Sequence, residues 1–384
     1  MSRSVRLLLL LIVATPLALV LLSGRSPTGL ESATAGKSAT TSKWGRKKVH
    51  RHRGVAGFDS GERLFAPNSF WNKPVQQRLD LDPRSAHLAE ALANFIDAQI
   101  RTPTLLNGGH PNIGADTYST PIYRVSRRTR RVKVALEGDS SPSLRRILSQ
   151  GVPIPTGAQP AVGTDGHMTV YQPSSDTLWE FWRARRTAHG WEASWAGAMR
   201  DVSRNPGHYD SGAWSGKPLK FPEGWNWGST ATSLPVAGGT ATLAELRAGR
   251  INHALAMALP NVCRGVFSWP AQRSDGRYDR ADCIPQGAHL RIDPRLNLDV
   301  LRLHPVAKLL AEAAQRYGMI VRDRTRVSAQ FFLESPAPGR PSPYTGPGGL
   351  YQGSDPWEIL QGFPWRSLQV LPMRLCTKAP CHSG

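Results

Sequence analysis

"TDGHMTVYQPSSDTLWEFW", residues 164–182, decides how this chain folds. Two runs of alternating aromatic, β-branched and polar residues flank Pro-Ser-Ser-Asp, the pattern of an antiparallel hairpin closed by a four-residue turn. Closure at that turn pairs residue 172 with 177, 171 with 178, 169 with 180 and 167 with 182. Side chains alternate across a strand, so Met168, Val170, Trp179 and Phe181 share one apolar face that needs a core. His167, Thr169, Tyr171, Leu178, Glu180 and Trp182 share the other, and Asp165 joins them if the strand extends that far. A mixed polar face is common on the wet side of an antiparallel sheet. A tryptophan beside a histidine is more than water requires, and it favours a binding wall.

The surrounding sequence repeats the theme of short strands. Gly (36) and Pro (31) are abundant enough to punctuate the chain often, which disfavours long helices. Strand-like runs recur in "STPIYRVS", "RRVKVAL", "GWEASWAG", "HALAMAL" and "AHLRID". Helical spacing is confined to three places. Residues 85–100 carry Leu88, Leu92, Phe95 and Ile96 on one face. Residues 242–249 have Thr240 or Thr242 as N-cap and Gly249 as stop, and residues 304–323 start a helix at Pro305 and end it at Gly318 before a strand "MIVRD". Many strands and few helices predict an all-β fold, an antiparallel, jelly-roll-like β-sandwich with decorating helices; an α+β sheet fold is the alternative.

The chain begins with Arg3 and Arg6 followed by a 16-residue apolar run, Leu7–Leu22, broken by Pro16. That is the pattern of a secretory signal, and the run is short for a membrane span. Residues 1–24 are therefore read as a signal peptide or N-terminal anchor. Residues 25–54, rich in Ser, Thr and Gly and then basic, read as a disordered linker. Residues 55–384 show no repeat and no second linker, and read as one globular domain. The formal charge is +20, and the segments before residue 55 hold ten Lys and Arg against one Glu, so the domain is basic too. For an exported chain, that favours an anionic envelope surface or acidic polysaccharide as partner; no nucleic acid is expected.

The four cysteines, Cys263, Cys283, Cys376 and Cys381, suit disulfides in an oxidising compartment. Local pairing, 263 with 283 and 376 with 381, is the simplest of three connectivities. Their spacing does not supply the close pairs of a four-cysteine zinc site.

A carboxylate, an imidazole and aromatic rings on one sheet face are the parts of a sugar-cleaving site: rings stack on the sugar while the ionisable groups move protons. Glu180 is the candidate general acid/base and Asp165 the second carboxylate, nucleophile or water-activating base according to whether the two lie roughly 5 Å or roughly 6.5–9.5 Å apart. His167 and His253 are candidates for orienting substrate or tuning the acid. Trp182, Trp191 and Trp195 are candidate platforms, in a chain with 12 Trp. Arg273 and Asp275 sit in the loop that a 263–283 disulfide would pin. A uronate substrate would suit a lyase instead, with a histidine base, Tyr171 as acid and an arginine on the carboxylate. No G-x-S-x-G elbow, P-loop, dinucleotide fingerprint or H-E-x-x-H is present, which argues against serine α/β-hydrolases, nucleotide chemistry and zincin proteolysis. Nothing in the sequence calls for a metal or cofactor.

The words "VPIPTGAQPAVGTDGHMTVYQPSSDTLWEFWRARR", "GRINHALAMALPN", "GVFSWPAQRSDG", "DCIPQGAHLRIDP" and "LLAEAAQRYGMIVRD" resemble a family of uncharacterised exported, mostly actinobacterial proteins. The resemblance spans roughly residues 65–335 and implies export and a single domain. It carries over no catalytic residue. Taken together, these readings lead to an expectation: an exported glycoside hydrolase or polysaccharide lyase acting on an envelope or environmental polysaccharide. The alternative is a non-catalytic carbohydrate- or cell-wall-binding protein.

Overall fold

A computed structural model describes residues 63–137, 141–210, 212–214 and 227–382. The expected signal or anchor and the basic linker lie outside the described residues. Those described belong to one compact unit, His52–Gly384. Among them no helix is long and apolar enough to cross a membrane.

The hairpin forms in the expected register, with Gln172 opposite Thr177, Tyr171 opposite Leu178 and Thr169 opposite Glu180. Strand Ile122–Arg124 adds in parallel on one side and Trp195–Arg200 antiparallel on the other, giving a four-stranded sheet. Met168, Val170, Trp179 and Phe181 fill the core as their alternation requires. The opposite face is buried as well: Thr169, Leu178 and Glu180 have no exposed surface. Neither side of this hairpin faces solvent.

The reason is a second, six-stranded sheet. Its strand order is Asn112–Gly114, Gln330–Phe332, Leu255–Leu259, Met319–Arg324, His289–Ile292, Leu368–Val370. The "ALAMAL" run explains its central position. Leu255, Met257 and Leu259 face one core together with helices Ser85–Ile100 and Pro305–Arg316. Ala254, Ala256 and Ala258 face the other core, which holds the hairpin. Large residues on one side and alanines on the other let the second half approach closely, and a strand buried on both faces needs apolar residues throughout. Two three-stranded sheets complete the fold, Ile284–Gln286 with Val262–Ser268 and Leu375–Cys376, and Val134–Leu136 with Gly190–Ala193 and Arg185–Thr187.

The chain is thus β-rich with few helices, but the sheets are mixed rather than antiparallel. Leu255–Leu259 runs parallel to Met319–Arg324, as does Asn112–Gly114 to Gln330–Phe332. The helix Pro305–Arg316 links His289–Ile292 to Met319–Arg324, which pair antiparallel, and the parallel pairing of Met319–Arg324 is with Leu255–Leu259, far earlier in the chain. The predicted helices form as Ser85–Ile100, Leu243–Ala248 and Pro305–Arg316. Thr242 caps the second in a reciprocal capping box with Glu245, and Gly249 ends it at φ 70°. Disulfides join Cys263 to Cys283 and Cys376 to Cys381, which fits a compartment other than a reducing cytoplasm.

Candidate active site

The chemistry gathers where the start of the hairpin meets the end of strand Met319–Arg324. Pairing of that strand with Leu255–Leu259 shifts between Val321 and Asp323, so Arg322 is an extra residue opposite no partner. Such a bulge bends the strand and re-aims the side chains beside it. Arg322 turns into the core toward the hairpin. Asp323 stays half-buried, packed round by protein yet reached by solvent.

Asp323 lies within electrostatic reach of two other carboxylates, Asp275 and Asp165. Burial pushes its pKa up to about 7, the charges of Asp275 and Asp165 push the same way, and the Arg324 N–H and Arg322 oppose them. The Arg324 N–H donates to its Oδ1 at 2.8 Å. Asp275 is fixed by a reciprocal pair of bonds with Gln286: its own N–H donates to Gln286 Oε1 at 3.0 Å, and Gln286 Nε2 donates to its Oδ1 at 2.9 Å. Arg324 Nε reaches its other oxygen at 3.2 Å. Asp165 accepts from Trp182 Nε1 at 3.2 Å, while its carbonyl accepts from the Arg183 N–H at 2.7 Å.

Two bases complete the cluster. His167 is 5% exposed, and its Nδ1 has no hydrogen-bond partner among the described residues. Burial lowers its pKa to about 4, with Arg322 adding to that and Asp165 opposing it. The imidazole is therefore neutral at ordinary pH, with a free nitrogen. Arg273 is brought to about 10 by burial, with Asp323 opposing. Its Nη2 donates to the carbonyls of Gly228 at 3.0 Å and Thr230 at 2.6 Å. The segment bearing Arg273 and Asp275 is closed by the Cys263–Cys283 disulfide and folds back tightly on it. A Cβ at Gly276 would lie 2.0 Å from the Cys263 carbonyl oxygen, so only glycine fits there.

Asp165, His167, Trp182, Arg273 and Asp275, all singled out in the sequence, belong to this region. Glu180 does not belong to it as a proton donor to substrate. It is fully buried, accepting from the N–H groups of Val236 at 2.9 Å and Ala237 at 2.8 Å and from the Tyr209 hydroxyl at 3.2 Å. Gly197 stands opposite it in the sheet, and a Cβ there would lie 2.5 Å from the Tyr209 ring, so the tyrosine reaches Glu180 only because that position is glycine. Burial raises Glu180 to about 7 against those three donors and Arg322. The hairpin reading placed it correctly in register and wrongly at a surface, because the sequence does not reveal the sheet lying over that face.

Three further expectations are corrected. His253 has both nitrogens engaged, Nδ1 with the Ala254 carbonyl at 2.9 Å and Nε2 with Glu245 at 3.1 Å. It lines a cavity of about 30 Å³ with Trp71, Asn72 and Thr240, room for one water. Tyr171 points to the closed end of the hairpin, where its hydroxyl donates to Asp176 at 3.1 Å. Trp191 pairs with Val134 and Arg186 in a different sheet and is buried in the core. Trp195 is half-buried opposite Trp182.

Asp323 belongs to this cluster without having been singled out in the sequence. The one local signal is a carboxylate ending the run "MIVRD"; the bulge that aims it exists only against the partner strand. A groove of about 1080 Å³ lined by Gln76, Arg78, Arg291 and Gln369 contains none of these groups, and its buried Arg291 is occupied by Gln369 and backbone carbonyls. Among the described residues, no group of three or more His, Cys, Asp or Glu is placed to hold a metal ion. Comparison with protein-family models, curated proteins and solved structures finds no match.

Proposed function

We propose that this chain is an exported carbohydrate-active enzyme that hydrolyses glycosidic bonds of an envelope or environmental polysaccharide at the Asp165–Asp323 cluster. The observation that carries the reading is the half-buried Asp323, its pKa raised to about 7 by burial and by the charges of Asp275 and Asp165, together with His167, a buried histidine that feels Asp165 and has an unpartnered nitrogen. Carboxyl groups whose surroundings separate their acidities are how one site supplies both an acid and a base. In this scheme Asp323 takes the role first expected of Glu180 and gives its proton to the leaving glycosidic oxygen. Asp165, its orientation set by Trp182, either takes a proton from the attacking water or attacks the anomeric carbon itself. The glycosidic C–O bond breaks, and water supplies the new hydroxyl and the replacement proton. Trp182 and Trp195 stand at the open end as sugar-facing indoles.

Hydrolysis is favoured over elimination because Tyr171, the expected lyase acid, is tied to Asp176 at the far end of the hairpin. The test is a screen of the purified exported protein against neutral and acidic polysaccharides and isolated cell wall, reading reducing ends and absorbance from new C=C bonds. Reducing ends without absorbance, abolished by Asp323→Asn, support the proposal. Both signals together replace it with a lyase. Retention on a polymer with no cleavage replaces it with a binding protein.

A further inference from the structure

The segment 162–166, which brings Asp165 to the carboxylate cluster, is flanked by two residues in an unusual backbone state. Tyr118 has φ 58° and Arg183 has φ 52°, in the left-handed region that residues with a Cβ resist. Unfavourable backbone held in place by its surroundings collects at functional sites. Both lie against glycines of that segment. A Cβ on Gly163 would lie 3.4 Å from the Tyr118 ring, and one on Gly166 would lie 3.4 Å from the Arg183 Cα. Ser119 and Thr120, next to Tyr118, are buried and bonded to the Leu333 carbonyl and the Thr169 hydroxyl. The chain is thus held so that two side chains face outward on either side of Asp165.

Their chemistry is complementary. The Tyr118 ring is 46% exposed, beside Val162 at 58%. Arg183 is exposed, and its guanidinium carbon lies 4.4 Å from the centre of the Trp182 ring, whose N–H holds Asp165. A cation over an indole face is held close to it without being neutralised. Its side chain makes no hydrogen bond or ion pair among the described residues. Glu137, the carboxylate that feels its charge, is occupied by Arg185 and by Ser194 at 2.6 Å. A pre-oriented guanidinium left unpaired beside a carboxylate cluster is a receptor for an anion that approaches the cleft from outside. Residues 163 and 166 are at most about 10 Å apart along the chain, the span of a short oligosaccharide.

We infer that this rim is a subsite for an acidic sugar, in which Arg183 pairs with the sugar carboxylate and Tyr118 stacks on a neighbouring ring. The inference rests on the hydrolase reading and names its substrate class, a polysaccharide containing uronate or another carboxylated sugar. It also gives the basic chain a specific contact where its overall charge would give only diffuse attraction.

The test is native affinity electrophoresis of the full exported chain at about 0.15 M salt, in gels containing polygalacturonate or uncharged hydroxyethylcellulose. Arg183→Gly removes the guanidinium and relieves the positive φ, so it folds at least as well as the wild type; Arg183→Met keeps a stem on Trp182. Arg302→Met, at an exposed arginine between Leu301 and Leu303, which pack against the other core, controls for general charge. The expected result is retardation by polygalacturonate that weakens roughly tenfold or more in both Arg183 variants, less in Tyr118→Ala, and little in Arg302→Met. Equal losses in the Arg183 and Arg302 variants, retardation by the uncharged polymer alone, or retardation by neither would overturn the subsite. The hydrolase reading fails separately, if no polymer in the cleavage screen yields reducing ends that depend on Asp323.

Discussion

Glu180 and Arg322 grip one turn from opposite sides. The carboxylate accepts the N–H groups of Val236 and Ala237, and the guanidinium Nη1 donates to the carbonyls of Val236 and Gly238, the latter at 2.8 Å. One residue belongs to the four-stranded sheet and the other to the six-stranded sheet, so the turn is a clasp between them. Because Arg322 is the extra residue of the bulge, the same clasp sets the position of Asp323.

Breaking the clasp is expected to cost stability. In Glu180→Gln an amide NH2 must face at least one backbone N–H, leaving a buried donor without an acceptor, for a loss of about 2–4 kcal/mol. Arg322→Met should be comparable, since two backbone carbonyls and the Thr240 hydroxyl lose their donor. Denaturant titration measures both.

Asp323→Asn is expected to reduce turnover by about 10²–10⁴-fold with the fold intact. Wild-type activity should fall as pH rises through about 7, where Asp323 loses its proton. The stability effect has a definite sign. A carboxyl whose folded pKa is raised above its unfolded value contributes stability that is fully present below the unfolded value and is lost as pH rises through about 7. At pH 8 the Asn variant should therefore be the more stable, by about 1–2 kcal/mol once the solvent-reached face is discounted. A pH–rate profile and paired melts check the two halves.

Trp182→Phe keeps a ring but removes the N–H that orients Asp165. Turnover should drop about tenfold with KM little changed. A rise in KM alone would make the indole a sugar platform and nothing more.

His253→Ala should lower stability while sparing turnover in the folded fraction. Burial alone would lower the pKa of His253, but the Glu245 carboxylate and the Ala254 carbonyl outweigh it and raise it. The pair therefore stabilises fully below pH about 6.5 and loses that contribution as pH rises through the raised value. The gap between wild-type and variant melts should narrow, without closing, at alkaline pH.

Removing the Cys263–Cys283 bridge, which closes a separation of 20 residues, should cost about 3 kcal/mol. Turnover should suffer beyond the unfolded fraction, because that segment carries Arg273 and Asp275. Activity of the double Cys→Ala variant, measured well below its melting temperature, separates the two losses.

The sequence by itself determined what depends on neighbours along the chain. Hairpin register follows from the position of Pro-Ser-Ser-Asp and from alternation. The helices follow from spacing at Leu88, Leu92 and Ile96, from the Thr242 capping box and from Pro305 and Gly318. Five of the residues in the cluster were legible as chemistry-bearing types: Asp165, His167, Trp182, Arg273 and Asp275. What needed the tertiary structure was which face meets what. Alternation says that Glu180 shares a face with His167, not that a second sheet covers the middle of that face while its end stays open. That covering arises from pairings between residues far apart in the chain, such as Met319 with Leu255 and Leu290 with Val370, which leave no local pattern. The parallel strand of Asp323 and its bulge exist only against Leu255–Leu259. Burial thus makes Glu180 part of the clasp, while a single extra residue in a strand leaves Asp323 half-buried and reached by solvent.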